Sequence, residues 1–259
     1  MKRPSLFAVF LVCSVFTAGI CHAQAHVAAA HDLLQIGIAA YNQKDYATAF
    51  QKISEAADQG DSRAQSWLGV MYQIGQGVPR NLDEAVTWYR KSADQGDADG
   101  QVRLAIMYSS GRGIPRNDDE AVVWYRKSAD QGNAAAQFDL GMMYVNGRGV
   151  PFDAHEAATW YRKAADQGFD QAEFNLGIMY GTGRGVPKDA NEAAVLIRQA
   201  AEQHLPVAQY TLARLYRGGL GVPQDFHEAA EWYRKAAAQG MVAAQNELNA
   251  MSGADRNAP

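Results

Sequence analysis

AQFDLGMMYVNGRGVPFDAHEAATWYRKAADQG, running from Ala136 to Gly168, decides the fold. Ala136, Leu140, Met143 and Tyr144 recur at the spacing of one helical face, as do Ala64, Leu68, Met71 and Tyr72 earlier in the chain. Gly147-Arg148-Gly149-Val150-Pro151 stops that helix, because glycine frees the backbone and proline lacks an amide donor. Asp153 then sits three residues before Glu156. That is the pattern of a capping box, in which the Asp side chain takes an orphan amide and the Glu reaches back to the cap. A second helix follows through Trp160-Tyr161-Arg162-Lys163 and stops at Gly168, placed for a left-handed cap.

The same sentence is written five times. Blocks of 36 residues begin at Ala64, Gly100, Ala136, Ala172 and Ala208 and run without a gap over 180 residues. Tyr72, Tyr108, Tyr144, Tyr180 and Tyr216 fall in one column, and Pro79, Pro115, Pro151, Pro187 and Pro223 in another. Asn81, Asn117, Asp153, Asp189 and Asp225 each precede a glutamate by three positions: Glu84, Glu120, Glu156, Glu192 and Glu228. Gly69, Gly141 and Gly177 suit close approach of the first helix to its neighbour, and Ala93, Ala129 and Ala165 do the same for the second. One helix pair cannot bury its apolar face alone, so neighbours must stack into a solenoid.

The repeated pattern, A-x-x-x-L-G-x-M-Y-x-x-G-x-G-V-P-x-D-x-x-E-A-x-x-W-Y-R-K-A-A-x-Q-G, resembles the Sel-one-like repeat family, a relative of the tetratricopeptide repeat. The resemblance implies an all-α, right-handed αα-superhelical solenoid. For most members it also implies a role in protein–protein interaction. Some cysteine-rich members are described as binding or slowly hydrolysing β-lactams. Here their cysteine pairs are missing, no Ser is followed at the third position by Lys, and neither K-T-G nor G-x-S-x-G occurs.

Outward from the blocks, residues 26–63 read as a lead and an N-terminal tetratricopeptide-like capping pair, since the Gly-x-Gly-Val-Pro loop is absent there. Residues 64–243 hold the five repeats. Residues 244–259 read as a C-terminal capping helix and a frayed polar tail. Residues 1–25 read as a signal peptide: Lys2 and Arg3, the apolar run Leu6 to Ile20, then small residues spaced for cleavage after Ala23 or Ala25. The expected location is therefore the periplasm or the exterior, a retained anchor being the alternative. The run is short for a membrane span, which needs about 20 apolar residues. Both cysteines, Cys13 and Cys21, leave with it.

Charge excludes one class of partner. Lys and Arg number 24 against 28 Asp and Glu, a net charge of -4. Without Lys2 and Arg3 it becomes -6, from 22 against 28. Nucleic-acid binding wants a basic footprint, so no nucleic-acid partner is expected.

Candidate chemistry reduces to structure. The glutamate column reads as helix capping, and five copies of one active site in one chain would be strange. Gly181-Thr182-Gly183-Arg184-Gly185 lacks both the P-loop motif and a preceding strand, and so reads as a connector. His155 and His227 lie two blocks apart at polar helix starts and read as solvated; His26 and His31 sit on an alanine-rich lead. No catalytic residue, metal or cofactor is expected. Arg90, Arg126, Arg162 and Arg198 each have an acid four residues on, which favours a self-compensated, solvated ridge. A ridge gripping anionic envelope polymers such as peptidoglycan is the alternative.

Binding is expected where columns vary. Positions 63, 67, 70 and 74 share a first-helix face, and the second column runs Trp67, Arg103, Asp139, Asn175, Thr211, with Arg214 and Arg217 nearby. By analogy with tetratricopeptide superhelices this stripe is the floor of a concave groove. Trp67 either anchors a partner or seals the joint to the capping pair. In the fourth block Leu196-Ile197 replace Trp-Tyr and His204-Leu205-Pro206 replace the glycine cap, predicting an altered turn into the fifth. The expectation is a non-enzymatic scaffold binding a protein or extended peptide; a β-lactam or peptidoglycan hydrolase and a peptidoglycan-associated organiser or periplasmic regulator are the alternatives.

Overall fold

A computed structural model describes residues 28–256. Thirteen α-helices fill the described residues, in chain order α1 (28–42), α2 (Tyr46–Asp58), α3 (Ser62–Ile74), α4 (Leu82–Asp94), α5 (Ala98–Ser110), α6 (Asp118–Asp130), α7 (Ala134–Asn146), α8 (Ala154–Ala165), α9 (Asp170–Thr182), α10 (Ala190–Glu202), α11 (Pro206–Gly218), α12 (Phe226–Ala238) and α13 (Val242–Arg256). No strand occurs among them, and the fold is an all-α superhelical repeat. None of these helices is long and apolar enough to cross a membrane. The signal segment expected at 1–25 lies outside the described residues.

The chain divides into two compact units, residues 1–124 and 125–259. In the first, α2 packs on α3, α3 on α4 and α4 on α5. Leu34, Ile53, Leu68 and Met71 form a buried core there, so α1 and α2 share a core with the first full repeat. In the second, each helix from α7 to α13 packs on the next in sequence. Leu140, Leu176 and Leu212 are fully buried at one column, each a repeat apart.

Close packing within a repeat depends on the small first-helix residue. A Cβ on Gly69 would stand 2.5 Å from Cε1 of Tyr89, and one on Gly141 would stand 2.7 Å from the Tyr161 ring. Those tyrosine rings fill the space where the α3–α4 and α7–α8 pairs cross.

Asn81, Asp153, Asp189 and Asp225 cap the second helices as expected, each side chain accepting from the two amides that follow at N2 and N3. The other half of the expected capping box is different. The cap amide is already taken by the carbonyl of the tyrosine nine residues earlier: Asn81 donates to Tyr72 at 2.9 Å, Asp189 to Tyr180 at 3.0 Å and Asp225 to Tyr216 at 2.9 Å. With that donor used, Glu192 is left for Arg162 on α8, at 3.1 Å.

A buried amide ladder links neighbouring repeats. Gln65 donates to the Ala57 carbonyl at 3.2 Å and accepts from Gln95 at 2.7 Å. Gln137 and Gln209 repeat this with Ala129 and Gln167, and with Ala201 and Gln239. Buried amides need both roles filled, and glutamine offers one donor group and one acceptor.

The turn before α11 keeps its ordinary path, against the expectation of an altered one. His204 takes the left-handed conformation itself, at φ 68°, where Gly96, Gly132 and Gly168 stand elsewhere. Its amide donates to Ala201 and that of Leu205 to Ala200, the pattern Gly96 and Asp97 make with Ala93 and Ser92. Pro206 fits because it opens α11, where its missing amide has no intrahelical partner in any case.

Candidate partner-binding faces

In the first unit the stripe begins with Trp67. One side of its ring meets Tyr41 of α1 edge-on, centroids 5.3 Å apart at 67°. Its remaining surface lines a small cavity of about 80 Å3 with Arg63, Val70, Asp97, Asp99 and Arg103. Trp67 therefore seals the joint to the N-terminal pair and also presents a face to the cavity. Arg103 is exposed on α5 and reaches the Tyr89 hydroxyl, which itself donates to Gln73 Oε1 at 2.5 Å. Burial pushes the Tyr89 phenol up to about 12, against the pull of Arg103 and Arg112. Ile106, one turn on from Arg103, is 38% exposed.

In the second unit Asp139 and Asn175 come together around Tyr161. Burial pushes the Asp139 carboxyl up to about 6, opposed by a hydrogen bond from the Tyr125 hydroxyl. Tyr161 is raised to about 12, chiefly by burial, with Asn175 and Arg184 pulling it down and Asp139 adding to the rise. Beside them a cleft of about 420 Å3 is lined by Met142, Tyr161, Asn175, Ile178, Met179 and Arg184, among others. Ile178 is 38% exposed there. The arrangement is an apolar floor with one cation at the rim and an amide within.

The other predicted residues are not gathered into that cleft. Thr211 turns its hydroxyl onto the Val207 carbonyl of its own helix at 2.7 Å. Arg214 lies 6.0 Å from the centroid of the Tyr210 ring. Arg217 is held by Glu247 of α13, an ion pair that ties the last first helix to the C-terminal one. Three of the stripe residues share one contact, each reaching the tyrosine fourteen positions earlier: Arg103 to Tyr89, Asp139 to Tyr125 and Asn175 to Tyr161.

Met142, Ile178 and Arg184 were not singled out by the sequence reading. The signal was present: position 70 and its equivalents lie on the stripe and are apolar in the first four repeats, as Val70, Ile106, Met142 and Ile178, with Arg214 in the fifth.

The arginine column stays partly solvated, with Arg90 and Arg126 exposed, and its members also bond tyrosines of the next first helix. Arg90 donates to the Tyr108 hydroxyl of the next first helix at 2.6 Å and Arg198 to Tyr216 at 2.7 Å; Arg126 with Tyr144 and Arg162 with Tyr180 make the same bond. The lysine beside it is turned over a tryptophan, Lys91 on Trp88 at 3.7 Å and Lys235 on Trp232 at 3.5 Å. His155 bonds the Gly185 carbonyl through Nδ1 at 3.2 Å. Among the described residues, no group of three or more His, Cys, Asp or Glu is placed to hold a metal ion.

The model of the Sel1 repeat matches residues 62–97, 98–133, 134–169, 170–205 and 206–241, the same period in a frame two residues earlier. A solved Sel1 repeat protein from Oxalobacter formigenes is 37% identical, with 84% of this chain and 86% of that chain covered and a TM-score of 0.77. The c5321 protein, a protective antigen present in uropathogenic Escherichia coli strains and displaying an SLR fold, is 36% identical with a TM-score of 0.80. There 85% of this chain aligns, and the match spans 48% of that longer chain. The immunity protein Pa5087 of Pseudomonas aeruginosa, 19% identical at a TM-score of 0.51 over 78% of this chain and 81% of that one, shares the fold alone. A search of curated proteins gives no match.

Proposed function

This chain belongs to the Sel1 repeat family, and from that premise we propose that it is a non-enzymatic scaffold whose first-helix faces bind a protein or extended peptide. Sel1 repeats commonly serve as protein–protein interaction scaffolds. The observation that carries the reading to these faces is an exposed isoleucine at the same repeat position of each unit, Ile106 in the first and Ile178 in the second. Stray apolar residues on a surface are ordinary, but in the first unit Ile106 stands one turn from Arg103, and in the second Ile178 lines a cleft with Arg184, a pairing of apolar surface and guanidinium that interfaces favour. The second helices offer less, because their arginines and lysines are occupied by tyrosine hydroxyls and tryptophan rings. That occupation also weighs against a basic ridge for peptidoglycan.

Location in the cell envelope or exterior is part of the proposal and rests on residues 1–25 alone. The test is pull-down from envelope extracts with the purified chain and with Trp67→Ala and Ile178→Glu. A discrete protein retained by the parent and lost from either variant is the expected result. Equal retention by all three overturns the assignment to these faces. Turnover of a chromogenic β-lactam that survives extensive purification overturns the non-enzymatic reading.

A further inference from the structure

The cleft between α7 and α9, wholly within the second unit, has a floor and a rim of different chemistry. Met142 and Val145 of α7 and Ile178 and Met179 of α9 give the floor its apolar surface. Arg184, in the loop that follows α9, stands exposed at the rim. Its guanidinium lies 5.2 Å from the centroid of the Phe152 ring, which is 57% exposed. Stacking occupies the flat face of a guanidinium and leaves its N–H edges for other acceptors. Among the described residues no carboxylate pairs with Arg184. Within the cleft, the Asn175 side chain bonds the Tyr161 phenol and turns an N–H to the Met142 sulfur at 3.8 Å. A thioether is a weak acceptor, so that N–H is poorly used.

Nothing in the same place would receive a cation. Among the described residues no Asp or Glu lines the cleft. The acids of α7, α9 and α11 accept hydrogen bonds from the unit itself: Asp139 from the Tyr125 hydroxyl, Asp170 from the Gln171 amide at 2.7 Å and Glu173 from Gln203 at 2.9 Å. One period after Ile178, in the same column, Arg214 is a second exposed guanidinium, 6.0 Å from the centroid of the Tyr210 ring. The whole chain carries 28 acidic against 24 basic side chains, so these cations do not reflect a basic composition.

We propose that this cleft receives an acidic–apolar segment of a partner protein. An apolar side chain lies on the floor of methionine and isoleucine. Beside it an aspartate or glutamate turns its carboxylate to the rim, accepting from Arg184 and from the Asn175 N–H that now faces sulfur. A carboxylate is the stronger acceptor of the two, and a guanidinium fork matches it in shape. A lysine or arginine at that position would meet the Arg184 charge with no acid in the cleft to offset it. This chemistry stands only if the first-helix faces are the binding ones, as proposed above.

Three synthetic peptides, blocked at both ends, carry Leu-Asp-Leu, Leu-Asn-Leu or Leu-Lys-Leu at the centre of one Gly-Ser frame. Each is titrated into the isotope-labelled full chain and followed by NMR. The Leu-Asp-Leu peptide is expected to move the methyl signals of Met142 and Ile178, the side-chain amide of Asn175 and the Nε–H of Arg184. Leu-Asn-Leu is expected to bind about fivefold more weakly, the most that an exposed ion pair usually gives, and Leu-Lys-Leu more weakly still. The gap between the first two should shrink at high salt. Arg184→Glu, at an exposed position, should keep the thermal midpoint and reverse the order, so that Leu-Lys-Leu binds best. Equal binding of the three peptides, an order that Arg184→Glu leaves unchanged, or silence at these four residues overturns the proposal. If the pull-down still yields a protein held by the parent and lost from Ile178→Glu, the faces bind a partner of another chemistry and only the acidic–apolar segment is refuted. If it yields none, the assignment of these faces fails as well.

Discussion

Burial works against the charge of two acids in the second unit. Asp139, a member of the stripe, is half-buried and has its carboxyl pushed up to about 6 by desolvation. Glu173 stands in the buried glutamine column, 4% exposed, and burial raises it as well, although it accepts from Gln203 at 2.9 Å. An acid whose folded pKa lies above its unfolded value binds more protons when folded. Stability is then fully present below the unfolded pKa and declines as pH rises through the folded one. For Asp139 the window runs from 3.8 to about 6. Asp139→Asn is therefore expected to stabilise the chain at pH 7, by at most about 3 kcal/mol for a shift of about two units. The gain should vanish below pH 4, as read by urea unfolding at both pH values. At this scale the sequence showed Asp139 only as a variable position. Its environment depends on Tyr125, fourteen residues earlier across a helix joint. The glutamine column was periodic in plain sight, but its meaning depends on carbonyls eight residues away that a pattern of side chains does not display.

Helix ends follow from local chemistry, and local chemistry is legible. Asx caps and loop prolines place the second helices because a cap and its amides lie within three residues. The reciprocal glutamate arm was misread because the competing acceptor, the tyrosine carbonyl, comes from the preceding helix. His204 shows the same limit: its departure from glycine looked like a change of path, yet the turn kept its hydrogen bonds and the side chain bears the strained angle. His204→Gly is expected to stabilise by about 1 kcal/mol, since a left-handed non-glycine costs roughly that much or more. Thermal unfolding measures it, and a loss of stability would contradict the argument. The crossing of α7 and α8 predicts the opposite sign. Gly141→Ala must push the Tyr161 ring aside and is expected to destabilise by about 1–3 kcal/mol, the usual cost of overpacking.

Across the whole molecule the repeat holds together through bonds whose partners lie 18 and 30 residues apart. Tyr180→Phe deletes the hydroxyl that Arg162 donates to and nothing else. It is expected to cost about 1 kcal/mol, somewhat more if the guanidinium finds no new partner. Guanidinium unfolding, with the midpoint compared against Tyr210→Phe, reads the effect. The solenoid was legible from the 36-residue period because five equal blocks leave one way to stack. The stripe was legible as a face. Which of its members stay free for a partner was not, because Thr211, Arg217 and part of Trp67 are committed to neighbours that only the folded chain brings near.

The central claim is that first-helix faces hold a protein partner, and in-cell photo-crosslinking tests it most directly. A photoreactive benzoylphenylalanine is placed at Ile178 on α9, 38% exposed, and separately at Val195 on α10, 52% exposed. The account predicts a discrete protein adduct from position 178 and none from position 195. An adduct from 195 with none from 178 would contradict it.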